Sequence, residues 1–367
     1  MIQKIGIRNF KSIKEADVSI TNLNLLMGLN GMGKSSFIQT LLLLKQSDKL
    51  EEKILDLNGI FAQIGQGRDA LYQYAEEEKI VFEFIFNDSE HTKLSWNFLY
   101  QKDKEKLTAE NGFAKDQMKF FRNETKKFQY IPAERIGPKD IYEASGVVVE
   151  DKKQLGLLGE YAAYYINVFG QEYEVAEKLR HSKAHSNNLL AQLNAWMKEI
   201  SPGVSLNTRY VSGVNKVILD YQFDLVKDKT NPFRPRNVGF GISYVLPVVL
   251  ALLTAEEGKI IVLENPESHI HPRGQAELGK LIALAAGAGA QLFAETHSDH
   301  ILNGIRVAVK ENAVDRSMVN VMYFDKTTVE EEQFTKITPI KVDCNGELDE
   351  YPKDFLDEWS NQLLKLL

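Results

Sequence analysis

Gly28-Leu-Asn-Gly-Met-Gly-Lys-Ser-Ser36 is the stretch that decides how this chain is read. It fits G-x-x-x-x-G-K-S, the spacing of a loop that wraps phosphate groups. The glycines let backbone N–H groups converge on phosphate oxygens, and Lys34 adds a compact positive charge for the terminal phosphates. The Ser35 hydroxyl is a hard oxygen ligand suited to Mg²⁺. The flanks are what such a loop requires. Leu23-Asn-Leu-Leu-Met27 reads as a short apolar strand, and Ser36-Phe-Ile-Gln-Thr-Leu-Leu-Leu-Leu44 reads as a helix. That helix would turn the positive end of its dipole towards the phosphates. The expected cradle is Gly28, Asn30, Gly31, Gly33, Lys34, Ser35 and Ser36, around a chain of phosphates with Mg²⁺.

The chain has 367 residues, 44% of them hydrophobic, enough for a large core. Acidic residues outnumber basic ones and the net charge is −7, which weighs against wide contact with a nucleic-acid backbone. The single cysteine, Cys344, rules out an intrachain disulfide framework and a cysteine zinc cluster. Met1-Ile-Gln-Lys-Ile-Gly-Ile-Arg8 alternates like a strand and lacks the apolar stretch of a signal peptide. The longest apolar run, residues 242–253, is interrupted by Ser243 and Pro247 and is too short to span a bilayer. The expectation is a soluble, cytoplasmic protein with no membrane partner.

Residues 2–10 and 16–20 read as paired strands that bring the chain to the phosphate loop, and residues 80–86 and 94–100 as further strands. Between 102 and 127 basic and aromatic residues interleave: Lys104, Lys106, Lys115, Lys119, Phe120, Phe121, Arg122 and Lys126. Such spacing serves single-strand binding by stacking and charge. Asp103, Glu105, Glu110, Asp116 and Glu124 dilute it, which favours a solvated hairpin or helix face. Phe128-Gln-Tyr-Ile131 reads as a strand ended by Pro132. Residues 156–203 have helical period, with Leu189, Leu190, Leu193, Trp196 and Met197 forming an apolar stripe stopped by Pro202-Gly203. Residues 205–210 and 216–223 return as strands.

Three stretches in the second half complete the chemistry. Arg236-Asn-Val-Gly-Phe-Gly-Ile-Ser243 leads into an apolar helix expected from about Tyr244, a Gly-rich helix start of anion-binding type. Gly258-Lys-Ile-Ile-Val-Leu-Glu264 is a buried strand ending in a carboxylate, as Mg²⁺ beside phosphates needs. Asn265-Pro-Glu-Ser-His-Ile-His-Pro272 follows it, and Thr296-His297-Ser298 ends the next strand. His269, His271, Glu295, His297, Asp299 and His300 also have the chemistry of a transition-metal site, a disfavoured alternative.

Together Ile7-Arg-Asn-Phe-Lys-Ser-Ile13, the phosphate loop and these later stretches resemble the head of RecF- and SMC-like ATPases of the ABC class, and AAA-family heads like those of the overcoming-lysogenization-defect group. The resemblance implies an α/β, ABC-type P-loop NTPase head with mixed sheets and a helical lobe. There are no sustained heptads for a long coiled coil. It implies a nucleotide lobe at 1–131 and 238–340, a helical and signature lobe at 132–237, and a C-terminal tail at 341–367. Arg8, Asn9 and Lys11 would flank the nucleotide or else form a solvated strand edge. Glu134 and Arg135 occupy the position of the Q-loop without its glutamine, or pair with each other at the surface. Gly239, Gly241 and Ser243 match a degenerate signature that binds the γ-phosphate held by a second copy. Glu264 matches the Mg²⁺-associated acid. Asn265 stands where the general base is expected and an amide is not basic, so Glu267 is the candidate to take a proton. His297 matches the switch histidine.

By the same resemblance the chain would form a homodimer around ATP and hydrolyse it, slowly. Only 70 residues follow His297, with no Asp-x-Asp cluster, so the expected effector is a separate polypeptide. The tail resembles a C-terminal domain of unknown function on small ATPases of bacterial anti-phage cassettes, with Phe355, Leu356, Trp359, Leu363 and Leu366 on one side of a helix. The competing readings are a RecF-like head that grips DNA and a nucleotide-binding scaffold with little hydrolysis.

Overall fold

Alternating apolar residues build the N-terminal hairpin. β1 (Ile2–Phe10) and β2 (Ile13–Ser19) pair antiparallel, with Lys4 opposite Ser19 and Phe10 opposite Ile13. The structure is a computed structural model that describes residues 1–47, 49–87, 92–112, 121, 126–352, 355 and 362–366. By its contacts the chain divides into two units. One holds Met1–Thr125, Asn320–Lys341 and Leu348–Leu367, the other Lys126–Val319 and Val342–Glu347.

In the first unit β3 (Leu23–Met27) is buried at every residue and feeds α1 (Lys34–Gln46), which starts two residues earlier than its apolar pattern suggests. β4 (Ile54–Asp56) and a short α2 (Gly67–Ala70) follow, then β5 (Lys79–Phe86), β6 (Lys93–Leu99) and β7 (Lys106–Thr108). The sheet order is β2-β1-β5-β6. Strict alternation turns Ile80, Phe82, Phe84 and Phe86 of β5 inward. Phe121, a candidate stacking platform, is instead core: its ring lies edge-on to Phe84 at 5.4 Å and Trp96 at 5.6 Å. Lys106 is paired with Asp56 at 3.2 Å. Lys115, Lys119, Phe120 and Arg122 lie outside the described residues.

The second unit begins with β8 (Phe128–Ile131) and β9 (Tyr142–Glu143), then α3 (Ala162–Phe169) and α4 (Leu189–Ile200). The helical stretch is therefore two helices, not one. The Asn188 side chain caps α4 by accepting from the Ala191 N–H at 2.9 Å, and Gly203 at φ +77° ends the turn after it. β10 (Val204–Val211) and β11 (Lys216–Phe223) pair antiparallel, with β9 on the far side of β11. α5 (Phe240–Leu253), β12 (Ile260–Glu264), α6 (Pro272–Gly287), β13 (Gln291–Glu295) and α7 (Asp299–Lys310) complete the unit. β12 lies between parallel β8 and β13, and its first four residues are buried, which is why it reads as an unbroken apolar run.

The chain returns to the first unit through the antiparallel pair β14 (Val319–Val329) and β15 (Glu332–Ile340), with β3 beside β14. Residues 238–319, expected with the phosphate loop, group with the helical elements, because α5 and α6 both pack on α4. Among the described residues the longest helix has 16 residues, and none is long and apolar enough to cross a membrane. Phe355 packs edge-on against Tyr323 at 5.2 Å, whereas Leu363 and Leu366 are exposed. Leu356 and Trp359 lie outside the described residues.

Candidate nucleotide-binding site

The candidate residues fall in two half-sites, one in each unit. In the first unit, β3 delivers the chain to a turn that only glycine fits. Gly28 has φ +134°, and a Cβ there would lie 2.2 Å from the Phe324 carbonyl oxygen of β14. Gly33 has φ +103°, and a Cβ would lie 2.4 Å from Thr335 Oγ1. Backbone cannot yield as a flexible side chain does, so Gly28→Ala is expected to cost about 2 kcal/mol or more. Thermal unfolding of that variant beside Gly31→Ala, where the added carbon meets open space, checks the figure.

Lys34 opens α1 and is only 3% exposed. Its Nζ donates to the Gly28 and Leu29 carbonyls, each at 2.8 Å, so the charge is folded into the loop it serves. Asn30, Gly31 and Ser35 are exposed and Ser36 is buried. A brace missed in the sequence holds the loop from outside: Thr335 Oγ1 lies 3.0 Å from the Met32 carbonyl and 2.9 Å from Ser12 Oγ. No motif marks Thr335; only the β15 fold-back brings it there. Arg8 pairs with Glu15 at 3.0 Å, and the Asn9 amide donates to the Lys79 carbonyl at 3.1 Å. Lys11 donates to Gln39 of α1 at 2.9 Å, with burial lowering its pKa.

In the second unit Glu264 ends β12 in register with Glu295 of β13. Its Oε2 accepts from the Ala133 N–H at 3.2 Å, and the Tyr130 hydroxyl also bonds it. Burial pushes the Glu264 carboxyl above its ordinary value, against the pull of Ala133, Tyr130 and Arg135. A carboxyl so raised penalises the folded state once ionised. That penalty is absent below the ordinary pKa of 4.5 and grows as pH rises through the folded value. Glu264→Gln is therefore expected to raise the Tm of nucleotide-free protein at pH 7 by roughly 1–3 °C, with no gain at pH 4. Tm series at the two pH values test this.

Asn265 follows at φ +44°, a left-handed conformation that asparagine tolerates better than most residues. Its N–H donates to the Glu295 carbonyl at 2.9 Å. Glu267 Oε1 accepts from the His297 N–H at 3.0 Å, tying the two strand-end loops together. Asn265 Oδ1 and Glu267 Oε2 are buried and have no hydrogen-bond partner among the described residues. Two buried oxygens within one turn thus keep unused acceptor capacity at the end of β12. The oxygen donors of Ser35 and Glu264 suit Mg²⁺.

Gly241, in the first turn of α5, lies so close to the loop after β12 that a Cβ would be 2.1 Å from the His269 carbonyl oxygen. Gly239 is the N-cap and is exposed. Ser243 differs from expectation: it is buried, with Oγ 3.3 Å from the Tyr221 hydroxyl. In this structure its hydroxyl faces the lobe interior, because it sits a full turn into the helix. The outer face of the helix start is Gly239 and Phe240. Arg135 also departs from the surface-pair expectation and is buried, with Glu134 left exposed. The histidines disperse. The His269 ring lies against Phe240 at 4.8 Å and Tyr244 at 5.1 Å, and His271 caps α6. Among the described residues no group of three or more His, Cys, Asp or Glu could hold a metal ion.

The family described as "AAA domain, putative AbiEii toxin, Type IV TA system" matches residues 23–303, and "Protein of unknown function (DUF3696)" matches residues 314–366. No curated protein sequence matches. Among solved structures, an SMC head bound to the C-winged helix domain of ScpA is similar with a TM-score of 0.55 at 10% identity, covering 93% of this chain and 98% of that one. An SMC head with an extended coiled coil, bound to the C-terminal domain of ScpA from Pyrococcus furiosus, gives 0.53 at 11% identity, covering 100% and 99%. At such identities the likeness is one of fold, that of an SMC-type ATPase head with mixed sheets and a helical lobe.

Proposed function

We infer, from the premise that this chain belongs to the AAA-domain family of putative AbiEii-type toxins, that it is an ATP-binding and -hydrolysing switch. The observation that carries the hydrolytic part is the pair of partnerless oxygens, Asn265 Oδ1 and Glu267 Oε2, just past the Glu264 carboxylate. Lys34 and the backbone of residues 28–36 hold the phosphates. Ser35 in the first unit and Glu264 in the second are each oxygen donors that would hold Mg²⁺, and the metal would supply charge neutralisation on the phosphate oxygens. Asn265 Oδ1 accepts a hydrogen bond from one O–H of the attacking water and so orients it. Glu267, fixed through Oε1 by the His297 N–H, takes the other proton on Oε2. His297, exposed just past β13, would donate towards the terminal phosphate. With an amide where the usual base would stand, turnover is slow.

Nucleotide binding favours a head-to-head dimer in which the α5 start of one copy, at Gly239 and Gly241, meets the phosphates held by the other. The closed and open states regulate a separate effector protein. The SMC heads of similar fold carry a ScpA domain, and the family description names a toxin–antitoxin system. The first supports a partner polypeptide, and the second supports a defence setting. Single-turnover hydrolysis of wild type beside Lys34→Ala and Glu264→Gln tests the reading. Both variants are expected to lose turnover; wild type with no turnover in the presence of bound ATP would leave a nucleotide-binding scaffold.

A further inference from the structure

Arg135 is 5% exposed, although arginine is seldom buried without a full set of acceptors. Here the acceptors are backbone carbonyls. Nε donates to Tyr244 O at 3.2 Å, Nη1 to Pro132 O at 2.9 Å and Glu264 O at 2.8 Å, and Nη2 to Asn265 O at 2.9 Å. Four of the five N–H groups of the fork are thereby used. The guanidinium carbon also lies 4.4 Å from the centre of the Tyr244 ring. The Tyr244 hydroxyl donates to the Ala133 carbonyl and accepts the Arg135 backbone N–H at 3.2 Å. Glu264 and Glu267 supply the compensating negative field.

One rigid side chain thus grips the end of β12 and the first turns of α5 at once. The contact is reinforced where His269 packs on Phe240 and Tyr244, and where Gly241 meets the His269 carbonyl. A displacement of the α5 start must carry the Tyr244 carbonyl with it. The planar fork then transmits that displacement to the Glu264 and Asn265 carbonyls, which orient the two partnerless oxygens. A lysine has three donors in a tetrahedral array and no plane to stack, so it cannot reproduce the grip.

We propose that Arg135 is a positioning residue that locks the turn from Asn265 to Glu267 to the start of α5, so that the proton-accepting half-site of one chain answers to whatever engages that chain's own helix start. The proposal rests on the switch reading above, in which the engaging group is the nucleotide phosphate held by the second copy. The lock links the two nucleotides of the dimer, and hydrolysis should be cooperative in ATP.

The test uses the full chain with Arg135→Met, which keeps the stem, and Arg135→Lys, which keeps the charge. Hydrogen exchange of nucleotide-free protein is followed in peptides covering 264–270 and 240–246. Turnover is measured against ATP concentration. Both variants are expected to exchange at least about 10-fold faster in both segments. Both should lose at least about 30-fold in kcat with KM within about 3-fold, and drop to a Hill coefficient of one. Unchanged exchange at 264–270 in Arg135→Met, or full kcat and cooperativity in Arg135→Lys, overturns the proposal. If both variants fail to fold, Tyr244→Leu, which removes the ring on which the guanidinium stacks together with the hydroxyl bonds, decides: faster exchange at 264–270 supports the lock and unchanged exchange contradicts it. A wild type that binds ATP but never turns it over defeats the switch reading, while exchange still decides the lock.

Discussion

Lys34→Ala is expected to lower ATP affinity about 100-fold, roughly 2.7 kcal/mol, and to reduce turnover below detection. Two effects add. The ammonium is the one positive side chain carried by the loop itself, and the phosphates bring three or more negative charges to it. The same Nζ bridges the Gly28 and Leu29 carbonyls, so its loss also frees the loop before nucleotide arrives. Fluorescent-nucleotide titration measures the affinity. A Tm within a few degrees of wild type would show that the fold survives, and affinity within threefold of wild type would remove Lys34 from the site.

Glu267→Gln is expected to cut kcat about 100- to 1,000-fold while leaving ATP affinity within threefold, because a positioned base contributes about that much. The amide oxygen still accepts the His297 N–H, so the loop geometry is kept and only basicity is lost. The complementary change, Asn265→Glu, places a second carboxylate on the same turn. It should raise kcat about 10-fold, at a cost of about 1 kcal/mol in stability for holding glutamate at φ +44°. Rapid-quench assays read both. Undiminished turnover in Glu267→Gln would mean that another group takes the proton.

The strand, glycine turn and helix around residues 28–36 were legible because their signals are local. Gly28, Gly33, Lys34 and Ser35 lie within nine residues, and the flanking strand and helix follow from their apolar patterns. β12 and its terminal Glu264 were legible for the same reason. What escaped was held by long-range contact. Thr335 reaches Met32 across 303 positions, and Arg135 reaches Glu264 across 129. Neither contact leaves a spacing in the sequence. Ser243 was legible as a residue type at a Gly-rich helix start, but periodicity does not say where such a helix begins. Once α5 starts at Phe240, Ser243 falls on its inner face against Tyr221. Phe121 shows the same limit, since a basic neighbourhood masks a ring that belongs to the aromatic core.

The reading of the protein as a switch requires that nucleotide bring two copies together. Sedimentation velocity of the full chain with Mg²⁺ and a non-hydrolysable ATP analogue, beside ADP and beside Lys34→Ala, tests this most directly. A dimer is expected with the analogue, absent with ADP and absent in the variant. A sedimentation coefficient that the analogue leaves unchanged, at concentrations where its binding is saturated, would contradict it.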